Sequence, residues 1–511
     1  MDYVSHPLIK HMAVQAREYQ TSLVNSALKK NTLVVVSTGL GKTLISILVA
    51  AERLSKFPEG KVMVLSPTRP LCSQIHKSYQ EAFEMSEKKI TLITGSINPE
   101  DREYLYRMSR IVVSTPQCIS NDLKHGRINL SDFCLVTFDE AQHSIGNYSY
   151  TIVAKHYIEQ AKNPLVLGLT ASPGGTEQKI REICKNLFIE AVEIKSEADD
   201  DVKPYVKEVR TEIFKVDLSG SMIEAQNLLK NTLKRRIDKL KGYNIFVRTK
   251  RDMLEAQKKV SDQLNTEKKP ILFYIVSLIV ECVKISHVLE LLETQSIKSV
   301  ESYIEKVSLK KTKSDKAILG DVEFLKALDI IKSCEEHPKI EKLKEIIKKE
   351  IEDDKNVSII VFSHYRDNIF NLQNLLEKIC RPTILIGQGG DRGLSQKEQI
   401  DVIKDFNAGY YNCLITSPIG EEGLHIPSAD IAIFYDSVPS EIRTIQRRGR
   451  VGRTKIGKII FLLAKNTRDE AYYWSAQRKE KKMREVLKDM QSKSINPQQS
   501  IDSFIETKDS Q

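Results

Sequence analysis

The segment Ser37-Thr38-Gly39-Leu40-Gly41-Lys42-Thr43 joins a β-branched run at 32–36 to an apolar helical run at 44–51. A glycine-rich turn between a strand and a helix offers backbone N–H groups to phosphate oxygens. Thr38, Gly39, Leu40 and Gly41 would form that cradle, Lys42 would reach the β- and γ-phosphates of a nucleotide such as ATP, and Thr43 would ligate Mg2+. The strict pattern has a glycine where Val36 stands. Further along, Phe138-Asp139-Glu140-Ala141 closes a second apolar run, 134–138. Carboxylates at the carboxyl end of a strand face the crevice where α/β sheets bind ligands. Asp139 would hold Mg2+, and Glu140 would act as general base on the attacking water. A third cluster, Gln446-Arg447-Arg448-Gly449-Arg450-Val451-Gly452-Arg453, has four arginines in eight residues. Phosphoryl transfer needs cationic charge on the γ-phosphate as the bond breaks. Arginines from a second α/β unit would make hydrolysis depend on closure of the two units.

These residues need strands to carry them. Short β-branched runs at 32–36, 61–66, 90–94, 111–114, 134–138 and 165–169 alternate with helical stretches, as buried parallel strands with crossover helices do. From about 219 to 336 the chain has a single proline, Pro270, and helical periodicity. Strands resume at 357–363 and continue at 383–386, 411–416, 431–435 and 458–463. The expected organisation is α/β: one unit over 1–200, an all-α insert over 201–336, a second α/β unit over 337–480 and a flexible tail over 481–511.

With 511 residues, 41% hydrophobic and 29% charged, the chain has the composition of a globular protein and not of a fibrous or disordered one. No uninterrupted apolar run approaches the ~20 residues of a membrane span, and the N-terminus lacks a signal-peptide layout, so no membrane partner and an intracellular, cytoplasmic location are expected. Its eight cysteines form no CxxC pair, which argues against structural zinc. Net charge is +10, and 229–269 holds thirteen Lys or Arg against five Asp or Glu. That stretch, with Lys234, Arg235, Arg236, Lys239 and Lys241, reads as a surface for nucleic-acid phosphates.

The order of motifs carries a resemblance. Gln20, 37–43, Pro67-Thr68-Arg69-Pro70, Ser114-Thr115-Pro116, Asp139-Glu140-Ala141, Thr170-Ala171-Ser172, Val361-Phe362-Ser363 and 446–453 resemble the complete motif set of superfamily 2 helicases. Gly168-Leu169-Thr170-Ala171-Ser172-Pro173-Gly174, Asp201-Val202-Lys203-Pro204-Tyr205-Val206 and Asp391-Arg392-Gly393-Leu394-Ser395-Gln396 are most similar to archaeal Hef helicases, relatives of FANCM translocases. The resemblance implies two RecA-like domains with a thumb-like helical insert, and ATP-driven, 3′→5′ remodelling of branched DNA in repair. It implies that Gln20, with Arg17 nearby, reads adenine. By the same resemblance Thr68, Arg69, Thr94, Gly95, Thr115, Ser363 and Thr416 grip a nucleic-acid backbone, and Thr170 and Ser172 link hydrolysis to movement. Arg450 and Arg453 match the arginine fingers, with Gln446 beside them.

The sequence departs from the family at Gln142, where histidine is common, at His425, where aspartate is common, and at Pro418, which lengthens a motif and leaves Thr416 and Ser417 competing for one backbone contact. Gln142 is expected to hydrogen-bond across the lobe interface. No Glu-Arg-Lys nuclease core of the XPF type occurs, so no nuclease activity is expected. Gln498, Ile501 and Phe504 have the spacing of a sliding-clamp (PCNA) peptide. The alternative reading is a double-stranded-RNA-stimulated ATPase of the RIG-I or Dicer-helicase type.

Overall fold

The computed structural model describes residues 3–146, 148–206, 209–310, 312–389, 392–417, 429–437 and 457–492. Two parallel sheets organise it. The first has seven strands in the order β3-β4-β2-β5-β6-β1-β7. These are β1 (Thr32–Val36), β2 (Lys61–Leu65), β3 (Ile90–Ile93), β4 (Ile111–Ser114), β5 (Phe133–Asp139), β6 (Val166–Thr170) and β7 (Ala191–Lys195). Helices α1 (Glu18–Ala27), α2 (Lys42–Lys56), α3 (Arg69–Ala82), α4 (Pro99–Met108), α5 (Pro116–Lys124), α6 (Tyr148–Gln160) and α7 (Glu177–Asn186) belong to this lobe. Two apolar clusters lie on its two faces; every residue of β1 and β6 is buried, as covered parallel strands require.

The second sheet has six strands in the order β10-β11-β9-β12-β13-β8. They are β8 (Val209–Val216), β9 (Ile359–Phe362), β10 (Pro382–Leu385), β11 (Cys413–Thr416), β12 (Ile431–Phe434) and β13 (Gly457–Ala464). Between β8 and β9 lies a bundle of α8 (Gly220–Lys241), α9 (Lys250–Glu267), α10 (Pro270–Thr294), α11 (Ile297–Lys310), α12 (Lys313–Leu319) and α13 (Val322–Ser333). Around the second sheet lie α14 (Pro338–Asp353), α15 (Arg366–Leu376), α16 (Gln396–Asn407) and the last described helix, α17 (Arg468–Ser492). Two α/β units with a helical insert between them are therefore present.

Two expectations change. β8 falls within the segment expected to be all-α, yet pairs with β13 along its whole length, from Gly457↔Val209 to Ala464↔Val216. It is an edge strand whose side chains are half-buried or exposed and none fully buried, so it shows no continuous apolar run. Residues 481–492, expected as tail, are the C-terminal half of α17 and bury Met483, Leu487 and Met490 against the first lobe. Helix α10 has the length and apolar content of a membrane span once its charged residues are read as interruptions. It is the central helix of the insert, with Ile279, Cys282, Ile285 and Leu292 fully buried and α8 and α9 packed along it. Gln446, Arg450, Arg453, Pro418, His425 and the peptide Gln498, Ile501, Phe504 lie outside the described residues.

Candidate nucleotide site and nucleic-acid contacts

β5, β6 and β1 are neighbours in the first sheet, so their carboxyl ends place three motifs side by side. After β1 the chain turns through Gly39 at φ +94° and Gly41 at φ +82°, a region that favours glycine. A side chain at Gly41 would also collide with Gln20, whose Nε2 lies 2.5 Å from the position of a Cβ. Gln20 Nε2 donates to Leu40 O at 3.1 Å, and Tyr19 Oη donates to the same carbonyl at 2.9 Å. The glycine turn is thus anchored to α1 from behind. Gln20 Oε1 is buried without a partner among the described residues, an acceptor suited to an exocyclic amino group such as adenine carries. Arg17 stacks over Tyr205, 5.3 Å from the ring centre, and the two help wall a recess of 640 Å³.

Asp139 ends β5 and Glu140 follows it at φ +49°. Ser66 Oγ donates to Asp139 Oδ2 at 3.1 Å. Burial, reinforced by the neighbouring Glu140 carboxylate, pushes the Asp139 carboxyl up to about 6. Burial also acts to raise Glu140, but the Lys42 ammonium outweighs it and holds the group below the usual carboxylate range. Lys42 Nζ lies 2.7 Å from Glu140 Oε1, and Gln142 Nε2 donates to Glu140 Oε2 at 2.8 Å. Gln142 Oε1 then accepts from Thr170 Oγ1 at 2.6 Å, and Thr170 Oγ1 accepts from the Ser172 backbone N–H at 3.0 Å. Ser172 Oγ donates to the sulfur of Met483 at 3.2 Å. One chain of contacts therefore runs from the phosphate turn through the acidic pair to the end of β6 and onto α17. Both of these Gln142 bonds lie within the first lobe, between adjacent strand ends.

The residues present suit a nucleoside triphosphate with a hard divalent cation. The glycine turn offers backbone donors, Lys42 and the partly buried Asp139 supply opposite charges, and the available ligand atoms are oxygens. Residues 17–180 match the model of the DEAD/DEAH box helicase family. Residues 338–455 match the helicase conserved C-terminal domain. Between them, 221–338 match the helical bundle of a putative ATP-dependent RNA helicase family. The helicase domain of Hef from Pyrococcus furiosus, a solved structure, superposes with a TM-score of 0.72 at 39% identity, over 92% of this chain and 99% of that one. The chain belongs to the Hef and FANCM branch of superfamily 2 helicases. A putative ATP-dependent RNA helicase of Methanocaldococcus jannaschii is 41% identical over 96% of this chain and 63% of its own length. The ATP-dependent DNA helicase mph1 of Neurospora crassa is 30% identical over 89% of this chain and 41% of its own. The chain thus spans less than two thirds of the curated relatives it matches.

The helicase residues matched to backbone contacts divide into two groups. Thr68 and Thr115 are the residues before α3 and α5, each with proline in the first turn. Gly95 lies beside Arg69, whose Nη2 is 3.6 Å from the Cβ position, so these two motifs meet. Thr94 is buried, with its hydroxyl on Ser96 at 2.7 Å. In the second lobe, Ser363 is buried and committed: its Oγ donates to Asp436 Oδ2 at 3.2 Å and accepts from Asn368 at 3.1 Å. Thr416 is likewise buried and donates to Leu385 O at 3.1 Å. Ser417 Oγ has no partner among the described residues, so of the two competing hydroxyls it is the uncommitted one.

One insert residue is corrected, Arg236. Arg236 is buried and bonds Glu281 at 2.9 Å and Asp321 at 3.0 Å; Arg235 bonds Asp321 at 3.1 Å and also Glu323. Both guanidiniums tie α8 to the helices beside it; buried Arg236 is not free for phosphate, whereas Arg235 stays exposed beside its acidic partners. Lys234 and Lys239 remain exposed on α8. Met483, Tyr19 and Ser66 were not singled out in the sequence; only their contacts across the fold mark them.

Proposed function

We propose that this chain is an ATP-hydrolysing motor that remodels branched DNA, moving 3′→5′ and working inside the cell. The observation that supports it best is the bonded path from Lys42 through Glu140, Gln142 and Thr170 to Ser172 and α17. Lys42 and Glu140 neutralise one another as they stand. Triphosphate oxygens would compete for Lys42, leaving Glu140 held by Gln142 alone and free to take a proton from water. Any shift of Glu140 then pulls on Gln142 and, through Thr170, on the Ser172 loop. Asp139 and Thr43 would hold Mg2+, which supplies charge neutralisation on the phosphates when bound. Arg450 and Arg453 would complete the site from the second lobe.

DNA is favoured because the mph1 relatives are named as DNA helicases. The RNA reading keeps support from the Methanocaldococcus relative, named as an RNA helicase. ATP turnover should be measured with forked DNA, linear DNA and duplex RNA, and strand displacement with 3′ and 5′ overhangs. Strongest stimulation by forked DNA and displacement from the 3′ overhang are expected. Preferential stimulation by duplex RNA would replace this reading with the other.

A further inference from the structure

The insert leaves large apolar side chains unburied at its distal end. The first turn of α10 presents Ile271, Phe273 and Tyr274 at 45%, 57% and 46% exposure. Tyr243, 41% exposed, lies two residues past α8 and meets Tyr274 edge-on, with ring centres 6.0 Å apart. The bundle core does not need these rings, because Leu272 and Ile275 already pack that end of α10 into it. A folded surface rarely gathers such groups unless they meet a partner.

The charge around them selects the partner. Lys239 and Lys241 precede Tyr243, and Lys268 and Lys269 precede α10, all four exposed. The nearby carboxylates are engaged: Asp238 with Lys241 at 2.7 Å and Glu267 with Lys269 at 2.7 Å. Lys239 and Lys268 have no acidic partner among the described residues. Aromatic faces interleaved with unpaired lysines match unstacked nucleobases and the phosphates that join them.

We propose that Tyr243, Phe273 and Tyr274 form a stacking platform for nucleobases that have left the duplex at a branch, with Lys239 and Lys268 holding the adjoining phosphates. The proposal rests on the nucleic-acid reading above and adds which part of the substrate the insert touches. The test compares wild type with a Phe273→Ala, Tyr274→Ala double variant, on a fork carrying 2-aminopurine at the branch and on linear duplex of equal length. Stacking predicts a roughly 5- to 150-fold weaker fork affinity for each base no longer stacked, with recovery of 2-aminopurine fluorescence and linear-duplex affinity retained. The salt slope should stay constant in this variant, and fall by roughly 0.7 for each phosphate released in Lys239→Ala, Lys268→Ala. Basal ATP turnover without nucleic acid should not change in the Phe273→Ala, Tyr274→Ala variant. Fork binding and quenching equal to wild type would overturn the platform, as would equal losses on fork and linear duplex. So would loss of binding to anionic lipid vesicles with fork binding intact. A wild-type protein whose turnover no nucleic acid stimulates would instead defeat the underlying reading.

Discussion

Glu140 sits at φ +49°, a conformation L-residues rarely adopt, and its carboxylate is forked between Lys42 and Gln142. Held backbone strain at a carboxylate already bonded on both oxygens fits a group kept in place for proton transfer. Glu140→Gln should keep nucleotide binding, read by fluorescent-analogue titration, while turnover falls at least about 100-fold. Turnover within a factor of three of wild type would show that another group takes the proton. Thr170 tests the next link. Thr170→Val keeps the shape but removes the hydroxyl that joins Gln142 to the Ser172 backbone. ATP should still be hydrolysed, but with less strand displacement per ATP consumed. An unchanged ratio would mean that the path carries no coupling.

Among elements, α17 touches all three parts of the molecule. Arg468 Nε lies 3.8 Å from Glu293 of the insert, Tyr473 packs on Phe461 of the second sheet, and Met483, Leu487 and Met490 enter the first lobe's core. Leu487 is fully buried, so Leu487→Ala should cost ~2–5 kcal/mol in chemical denaturation, and less than about 1.5 kcal/mol if Met replaces it. A cost near zero for alanine would mean that the helix is not seated there in solution. A second test lies where the insert meets α14. His337 is buried, accepting from the Lys339 N–H at 3.2 Å and facing Glu293 O at 3.3 Å. Burial, aided by the Lys339 charge, depresses its imidazole from 6.5 to about 3. A depressed histidine contributes stability that is complete above pH 6.5 and lost as pH falls toward 3, up to about 5 kcal/mol for this shift. His337→Asn should flatten the fall in stability between those pH values; an identical slope would assign it to other groups.

At the scale of the whole molecule, net charge of +10 is not spread evenly, and pairing decides which cations face outward. Lys234→Ala should lower the salt slope of nucleic-acid binding by roughly 0.9 for each duplex phosphate no longer neutralised. Arg236→Ala should leave that slope alone but destabilise the fold by about 3–5 kcal/mol, because Glu281 and Asp321 lose a buried partner. The opposite pattern, a flattened slope with unchanged stability, would return Arg236 to the binding surface.

Much of this was legible in residue order. Buried parallel strands read as continuous β-branched runs, so β1, β5 and β6 and the motifs at their ends could be placed without coordinates. The glycine turn and the acidic pair were legible for the same reason, since local backbone geometry demands those residue types there. Other features needed partners far away in the chain. β8 is defined by pairing with β13, not by any pattern of its own. Arg235 and Arg236 looked identical to Lys234 until Glu281, Asp321 and Glu323 were brought beside them. Ser172 and Met483 are 311 residues apart, and only the return of α17 to the first lobe joins them. Local periodicity and backbone chemistry act over a few residues and are written in the sequence. Charge neutralisation, edge pairing and cross-lobe contact act through space, so the tertiary structure alone decided them.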